Sequence, residues 1–202
     1  SGNEAIARGA REAGVRVAAG YPGTPSTEIL ETLVRLDPGR QVYVEWATNE
    51  KVALDVALGA AMRGARALCA MKHVGLNVAM DAFVNSALTG VQGGFVLLVA
   101  DDPGMHSSQN EQDSRYLADF AHIPCLEPAT GQEAYDYTRD AYGLSERLKL
   151  PVMLRLVTRL AHCRGSVARR APDPVSSVGL PHPSEVPGWV LPPKEQVYSG
   201  ME

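Results

Sequence analysis

A chain of 202 residues with a net charge of −4 and no basic run has room for one domain plus an appendage, and it carries no electrostatic footprint for nucleic acid. Its three cysteines, Cys69, Cys125 and Cys163, lie far apart with no C-x-x-C pair. They cannot by themselves build a zinc or iron–sulfur site, and they point to a reducing compartment, the cytoplasm. No apolar run approaches a membrane span, and Ser1-Gly2-Asn3-Glu4 lacks the character of a secretory leader.

Residues 3–14 predict a helix capped by Asn3, with Ala5, Ile6, Gly9, Ala10 and Ala13 on one side. Residues 15–19 follow as a strand, and Gly20-Tyr21-Pro22-Gly23-Thr24-Pro25-Ser26 as a tight turn. Thr24 is expected to cap the next helix, with Pro25 at its first position, where a missing N–H costs nothing. That helix runs to about Leu36, Asp37-Pro38-Gly39 turns the chain, and residues 41–46 form a second strand. Asn49 opens a helix with Val52, Ala53, Val56, Ala57, Ala60 and Ala61 at helical spacing, which Gly64 ends. Residues 65–71 read as a strand and 76–88 as a helix of small apolar residues. Residues 95–100 read as a strand buried on both faces, since that run is apolar without alternation. Residues 110–122 predict a helix, 124–126 a short strand, 130–148 a helix capped by Thr130, and 151–156 the last strand. Six rounds of strand and helix define an α/β fold: an open, mostly parallel six-stranded sheet with helices on both faces. Residues 1–165 are expected to form this domain. Half of the 14 prolines fall between Pro172 and Pro193, so residues 166–202 are expected to form a Pro-rich extended connector or docking arm, with Trp189, Val190 and Leu191 favouring docking over disorder.

Polar motifs cluster after the strands, where open α/β sheets bind ligands. In the first, Thr24 and Ser26 offer hydroxyls and free helix N–H groups suited to a keto oxygen or a carboxylate; simple capping explains them equally well. The second strand runs into Glu45-Trp46-Ala47-Thr48-Asn49-Glu50, which places Glu50 just inside a helix, where the helix dipole also favours an acid. Glu45 is a competing carboxylate on the strand, expected on the opposite face. In Met71-Lys72-His73-Val74-Gly75-Leu76-Asn77, Gly75 lets the backbone approach a flat ring and His73 is either a proton relay or a surface histidine. Asn77 in that run reads as a cap. Asp101-Asp102-Pro103-Gly104-Met105-His106-Ser107-Ser108-Gln109 is polar, bent by proline and long enough to close over a site. Arg115 beyond it suits bidentate binding of a carboxylate, or pairs with Asp113, Glu111 or Asp119. The two aspartates do not make a magnesium site, because no phosphate loop precedes them.

These four segments, 20–26, 45–51, 71–77 and 101–115, resemble the N-terminal domain of the large subunit of indolepyruvate ferredoxin oxidoreductase, and the resemblance runs over about residues 2–165. It implies a pyrimidine-binding domain that holds one half of thiamine diphosphate and part of a 2-oxoacid. Glu50 falls on the family's activating glutamate, with Gly23, Gly75 and Asn77 along the cofactor. Thr24 falls on the threonine that contacts the substrate carbonyl, with Ser26, His73, His106 and Arg115 as further substrate contacts. The implied activity is oxidative decarboxylation of an aryl pyruvate to an acyl-CoA, with electrons passing to ferredoxin.

The chain has neither the Gly-Asp-Gly motif that binds diphosphate and magnesium nor the family's cysteine-rich cluster run. Mg2+ and 4Fe-4S clusters are therefore expected in domains outside this chain, and no metal site within it. The expected partners are a diphosphate-binding domain or subunit, a small 2-oxoacid, ferredoxin and coenzyme A, in an oligomer; this chain alone is not expected to be active. The chain reads either as the first domain of a longer protein or as a stand-alone pyrimidine subunit. A non-oxidative thiamine-dependent decarboxylase subunit and a non-catalytic binding module of the same fold remain the alternatives.

Overall fold

The computed structural model describes residues 1–171. Six strands, β1 (Val17–Gly20), β2 (Tyr43–Trp46), β3 (Ala67–Lys72), β4 (Phe95–Asp101), β5 (Cys125–Leu126) and β6 (Val152–Val157), pair in the order β2-β1-β3-β4-β6-β5, every pair parallel. The helices between them are α1 (Gly2–Glu12), α2 (Thr27–Leu36), α3 (Glu50–Met62), α4 (His73–Thr89), α5 (Arg115–Phe120), α6 (Gly131–Leu148) and α7 (Thr158–His162). This is the α/β architecture expected from the alternation of strand and helix signals.

β4 shows why the sheet is double-faced. Every residue of it is buried. Val96, Leu98 and Ala100 pack with Ile6, Ile29, Leu33, Tyr135 and Tyr142 beneath α1, α2 and α6. Phe95, Leu97 and Val99 point the other way, into Leu54, Met71, Leu76 and Phe83 beneath α3 and α4. Period-2 alternation of an all-apolar strand thus feeds two cores at once.

The chain leaves β1 towards β2 on one side, then crosses over to add β3 on the other. Strand order reverses between β1 and β3, so α2 and α4 lie on opposite faces, and the ends of these two strands bound a crevice.

Several helix ends differ from the expectation. α1 starts at Gly2, because Ser1 accepts from the Glu4 amide and the Glu4 side chain returns the contact, a capping box. Asn3 is buried instead of capping, and its Nδ2 ties α1 to Pro25 O at 2.8 Å and Glu28 Oε2 at 3.0 Å. α4 begins three residues before the start read from the pattern, since β3 runs into it without a loop; Asn77 is therefore inside the helix and exposed, not a cap. α5 begins only at Arg115, and the short α7 was not foreseen. Asn49 and Thr130 cap as expected, accepting from the amides of Val52 and Glu133, and Gly64 follows α3 at φ 91.

Residues 163–171 leave α7 without further helix or strand, and their last part lies along α1 and α6. Gln132 and Ala168 exchange hydrogen bonds, Arg169 pairs with Glu12 at 2.5 Å, and Arg170 with Asp136 and Asp140. The rest of the expected connector, from Pro172 on and including Trp189, lies outside the described residues.

Candidate functional site

The turn after β1 is built around one carbonyl. Gly23 O accepts from the Ser26 and Thr27 amides and from Ser26 Oγ at 2.9 Å, while Gly23 N donates to Thr27 Oγ1 at 2.8 Å. Ser26 is therefore buried with its hydroxyl turned into the turn, and it is the N-cap residue of α2 without a side-chain capping bond. Thr24 does not cap. It precedes a cis peptide to Pro25, is exposed, and its hydroxyl makes no hydrogen bond among the described residues. A free hydroxyl at the mouth of the crevice can meet a ligand.

Across the crevice, a Cβ added to Gly23 would lie 2.7 Å from Lys72 Cδ and 2.9 Å from Lys72 Cγ. The two turns at the switch point thus touch through a lysine stem and a missing side chain. Lys72 ends β3 and is the N-cap residue of α4. Its Nζ donates to Ser107 O at 2.6 Å, which joins the loop after β4 to the same place. The sequence motif assigns Lys72 no role. The available signal was a cation ending the otherwise apolar run Ala67-Leu68-Cys69-Ala70-Met71.

Glu50 and Gly75 also meet. A Cβ on Gly75 would lie 2.5 Å from Glu50 Cγ and 2.7 Å from Glu50 Oε1. The first turn of α3 and the first turn of α4 therefore interlock, with the carboxylate occupying the space a side chain at 75 would take. Glu50 is half-buried and makes no hydrogen bond or ion pair among the described residues. Its acid therefore has no structural partner to satisfy, unlike most partly buried carboxylates. Cys69 lies beneath it; burial, then the Glu50 and Asp55 carboxylates, push that thiol far above its ordinary range and keep it unreactive.

Glu45 is differently placed. Its register partner Ala19 packs beneath α3, whereas the neighbouring pair Val44 and Ala18 packs beneath α2, so Glu45 faces the α3 side and not the opposite face that was expected. Its carboxylate accepts from Tyr43 Oη at 2.5 Å on the edge strand.

The Glu50–Gly75 contact makes a prediction that separates site from scaffold. Gly75→Ala improves helix propensity by roughly 0.5–1 kcal/mol, yet must displace the Glu50 side chain. Urea unfolding is expected to show stability held or slightly raised while activity of the complete enzyme falls. A large loss of stability would mean that Glu50 cannot move and that the contact is structural.

The loop after β4 is pinned at its base. Asp101 is fully buried and accepts from Ser114 N at 3.0 Å, Ser114 Oγ and Arg155 Nε at 2.7 Å. Asp102 accepts from Ser107 N, Ser108 Oγ and Thr158 Oγ1 at 2.7–2.8 Å. Burial by itself would raise the Asp102 carboxyl, but these bonds and the nearby His106 hold it down at about 2. A depressed carboxylate stabilises above the ordinary aspartate value of 3.8, and that contribution is lost as pH falls through about 2. Hydrogen exchange is expected to show the Ser107 amide protected at neutral pH in the native chain and exposed in Asp102→Ala. Equal protection in both would show that Asp102 does not hold the loop.

His106 is exposed on this loop. His73 is fully buried, not a surface histidine; its Nε2 lies 3.1 Å from Asn110 O, and its Nδ1 has no partner among the described residues. Arg115 is engaged: Asp113 takes it in a bidentate pair at 2.6–3.1 Å and Glu127 takes Nη1 at 3.1 Å. The Arg115 hydrogen bonds first, then the charges of Arg155 and Arg115, push the Asp113 carboxyl down to about 2 against the opposing effect of burial. Glu111, the alternative partner to Asp113, instead accepts from the Gly104 amide at 3.0 Å. Tyr21, Trp46 and Met105 follow or end the strands of this edge and are exposed. Among the described residues no group of three or more His, Cys, Asp or Glu is placed to hold a metal, and no helix is long and apolar enough to cross a membrane.

One edge of the sheet thus carries a free carboxylate on a glycine cradle, a free hydroxyl, a lysine and a polar loop. Comparison with known proteins gives the family of the chain. Residues 8–185 match the family described as pyruvate flavodoxin/ferredoxin oxidoreductase, thiamine diphosphate-binding. The indolepyruvate oxidoreductase subunit IorA of Thermococcus kodakarensis is 56% identical over 166 residues, which is 82% of this chain and 26% of that protein. The corresponding subunit of Methanothermobacter marburgensis is 50% identical over 186 residues, 91% of this chain and 30% of that protein. The 2-oxoglutarate synthase subunit KorA of the same organism is 31% identical over 201 residues, 95% of this chain and 52% of that one. The chain therefore spans about a quarter of the length of the IorA relatives. A solved 2-oxoglutarate:ferredoxin oxidoreductase from Magnetococcus marinus superposes with a TM-score of 0.72 at 21% identity, over 80% of this chain and 29% of that one, which supports the fold. The chain belongs to the pyruvate flavodoxin/ferredoxin oxidoreductase family, as its thiamine-diphosphate-binding domain.

Proposed function

We propose that this chain is the pyrimidine-binding part of a thiamine-diphosphate-dependent 2-oxoacid:ferredoxin oxidoreductase acting on aryl pyruvates, and that Glu50 is its activating acid. The observation that carries this is the unpartnered Glu50 carboxylate seated on Gly75 at the switch-point crevice. When bound, thiamine diphosphate supplies a carbon nucleophile that adds to a ketone. Glu50, as the carboxylic acid, would donate its proton to a hydrogen bond at pyrimidine N1′, which favours the imino form of that ring. A ring lying over Glu50 would shield that contact from water. Gly75 and Gly23, lacking side chains, make room for the Glu50 carboxylate and the Lys72 stem and so let both groups reach the crevice. The Thr24 hydroxyl is free to donate to the ketone oxygen, and the loop from Asp102 to Ser108 to exclude water.

The aryl preference follows the indolepyruvate relatives and their higher identity. Magnesium, the diphosphate and the iron–sulfur clusters are assigned to partner domains or subunits, since no Gly-Asp-Gly or cysteine-rich run occurs in this chain. Three free cysteines fit a cytoplasmic location. Calorimetry tests the division of labour. The isolated chain is expected to bind thiamine diphosphate and magnesium weakly or not at all, because the charge-assisted half of the site is elsewhere. The complete assembly is expected to bind them tightly. Submicromolar binding by the isolated chain would refute the assignment.

A further inference from the structure

We infer that Lys72 receives the carboxylate of the 2-oxoacid, a role the sequence pattern offers to Arg115; the inference rests on the cofactor site proposed above. Arg115 and its neighbour Arg155 face the carboxylates of Asp101, Asp113 and Glu127. Two cations against three anions leave that cluster net negative before any ligand arrives. A further carboxylate there meets repulsion and must displace a bidentate pair.

Lys72 is differently placed. Its ammonium bonds a neutral carbonyl, Ser107 O, and forms no ion pair among the described residues. One of its three donors is used, which leaves two for a carboxylate. Its stem lies against Gly23, next to the free hydroxyl of Thr24, so the groups suited to a ketone and to its adjoining carboxylate come from touching turns. As the N-cap residue of the 17-residue helix α4 it makes no side-chain capping bond, so the first amides of α4 and their dipole add to the positive potential. Bonded at once to Ser107 O and to the substrate, Lys72 would draw the loop after β4 over the bound 2-oxoacid.

The test uses the complete enzyme with Lys72→Met and Lys72→Arg, and compares indolepyruvate with its neutral carboxamide. Loss of a charge-assisted contact is expected to raise the KM for indolepyruvate by about 10- to 100-fold in Lys72→Met. Binding of the carboxamide, measured as inhibition, is expected to stay unchanged, and Lys72→Arg to restore most of the loss. Should Lys72→Met fail to assemble, Lys72→Gln is read by the same ratio. An unchanged KM, or equal weakening of acid and carboxamide, overturns the inference. Exchange of the cofactor's C2 proton is expected to be normal in every Lys72 variant. Exchange that survives Glu50→Gln would instead overturn the cofactor reading, which keeps the two failures apart.

Discussion

Glu50→Gln in the complete assembly is expected to lower turnover by at least about two orders of magnitude, the usual scale of a general acid–base contribution. Glutamine keeps the shape that fills the Gly75 cradle but cannot supply a carboxylic proton. The substitution costs the fold little, because Glu50 has no hydrogen-bond or ion-pair partner among the described residues to leave behind. Glu45→Gln is the control. Its carboxylate meets the exposed Tyr43 hydroxyl on an edge strand, and its loss is expected to change turnover far less. The two variants are compared at equal cofactor saturation, since Glu50→Gln also removes a contact to the pyrimidine. Comparable losses in both would mean that neither carboxylate has been given its proper role.

The largest effect on stability is expected at Arg155. Its side chain is 7% exposed and Asp101 is wholly buried, with Nε to Oδ2 at 2.7 Å and Nη1 against Glu127. Arg155→Met leaves Asp101 as an uncompensated buried charge, which costs about 3–5 kcal/mol. Removing both charges, as Asp101→Asn with Arg155→Met, is expected to recover much of that loss, because the penalty lies in the orphaned charge and not in the missing attraction. Urea unfolding of the two single variants and the double variant measures this. Additive losses would show that the two residues act separately. The same pair sets the base of the loop after β4 through Ser114, so the single variant is also expected to raise hydrogen exchange there.

The βα junctions were legible because glycine, proline and capping residues interrupt apolar runs at strand ends, and backbone chemistry at those points is local. Asn49 and Thr130 cap as the sequence implies for the same reason. The misread starts share a cause in contacts from far along the chain. α4 begins at His73 with no side-chain capping bond to announce it, directly from a strand whose partners on both sides are other strands. α5 begins late because Asp101 and Asp102 hold residues 107–114 as a loop, and neither hydrogen bond is visible as periodicity. The capping box of Ser1 and Glu4 was present as S-x-x-E, but Asn3 drew the assignment; its side chain instead reaches Pro25, over twenty residues away.

Within the candidate site, Glu50, Gly75, Gly23 and Thr24 were nameable from motif and resemblance, since each stands at a junction. Lys72 was not, because its meaning depends on touching Gly23 and Ser107 at once. Arg115 was nameable for its chemistry, but its two carboxylate partners include Glu127, brought in by β5.

The most direct measurement is exchange of the C2 proton of thiamine diphosphate, followed by quenched NMR in the complete assembly, for wild type, Glu50→Gln and Glu45→Gln. It isolates activation by the protein's acid from electron transfer and product release. Fast exchange in wild type and Glu45→Gln, with exchange slowed by about a hundredfold or more in Glu50→Gln, is the result expected of a carboxylic acid at position 50. Unchanged exchange in Glu50→Gln, whatever its turnover, would contradict the assignment of Glu50 as the activating acid, and unchanged exchange in both variants would contradict the assignment of this domain as the one that activates the cofactor.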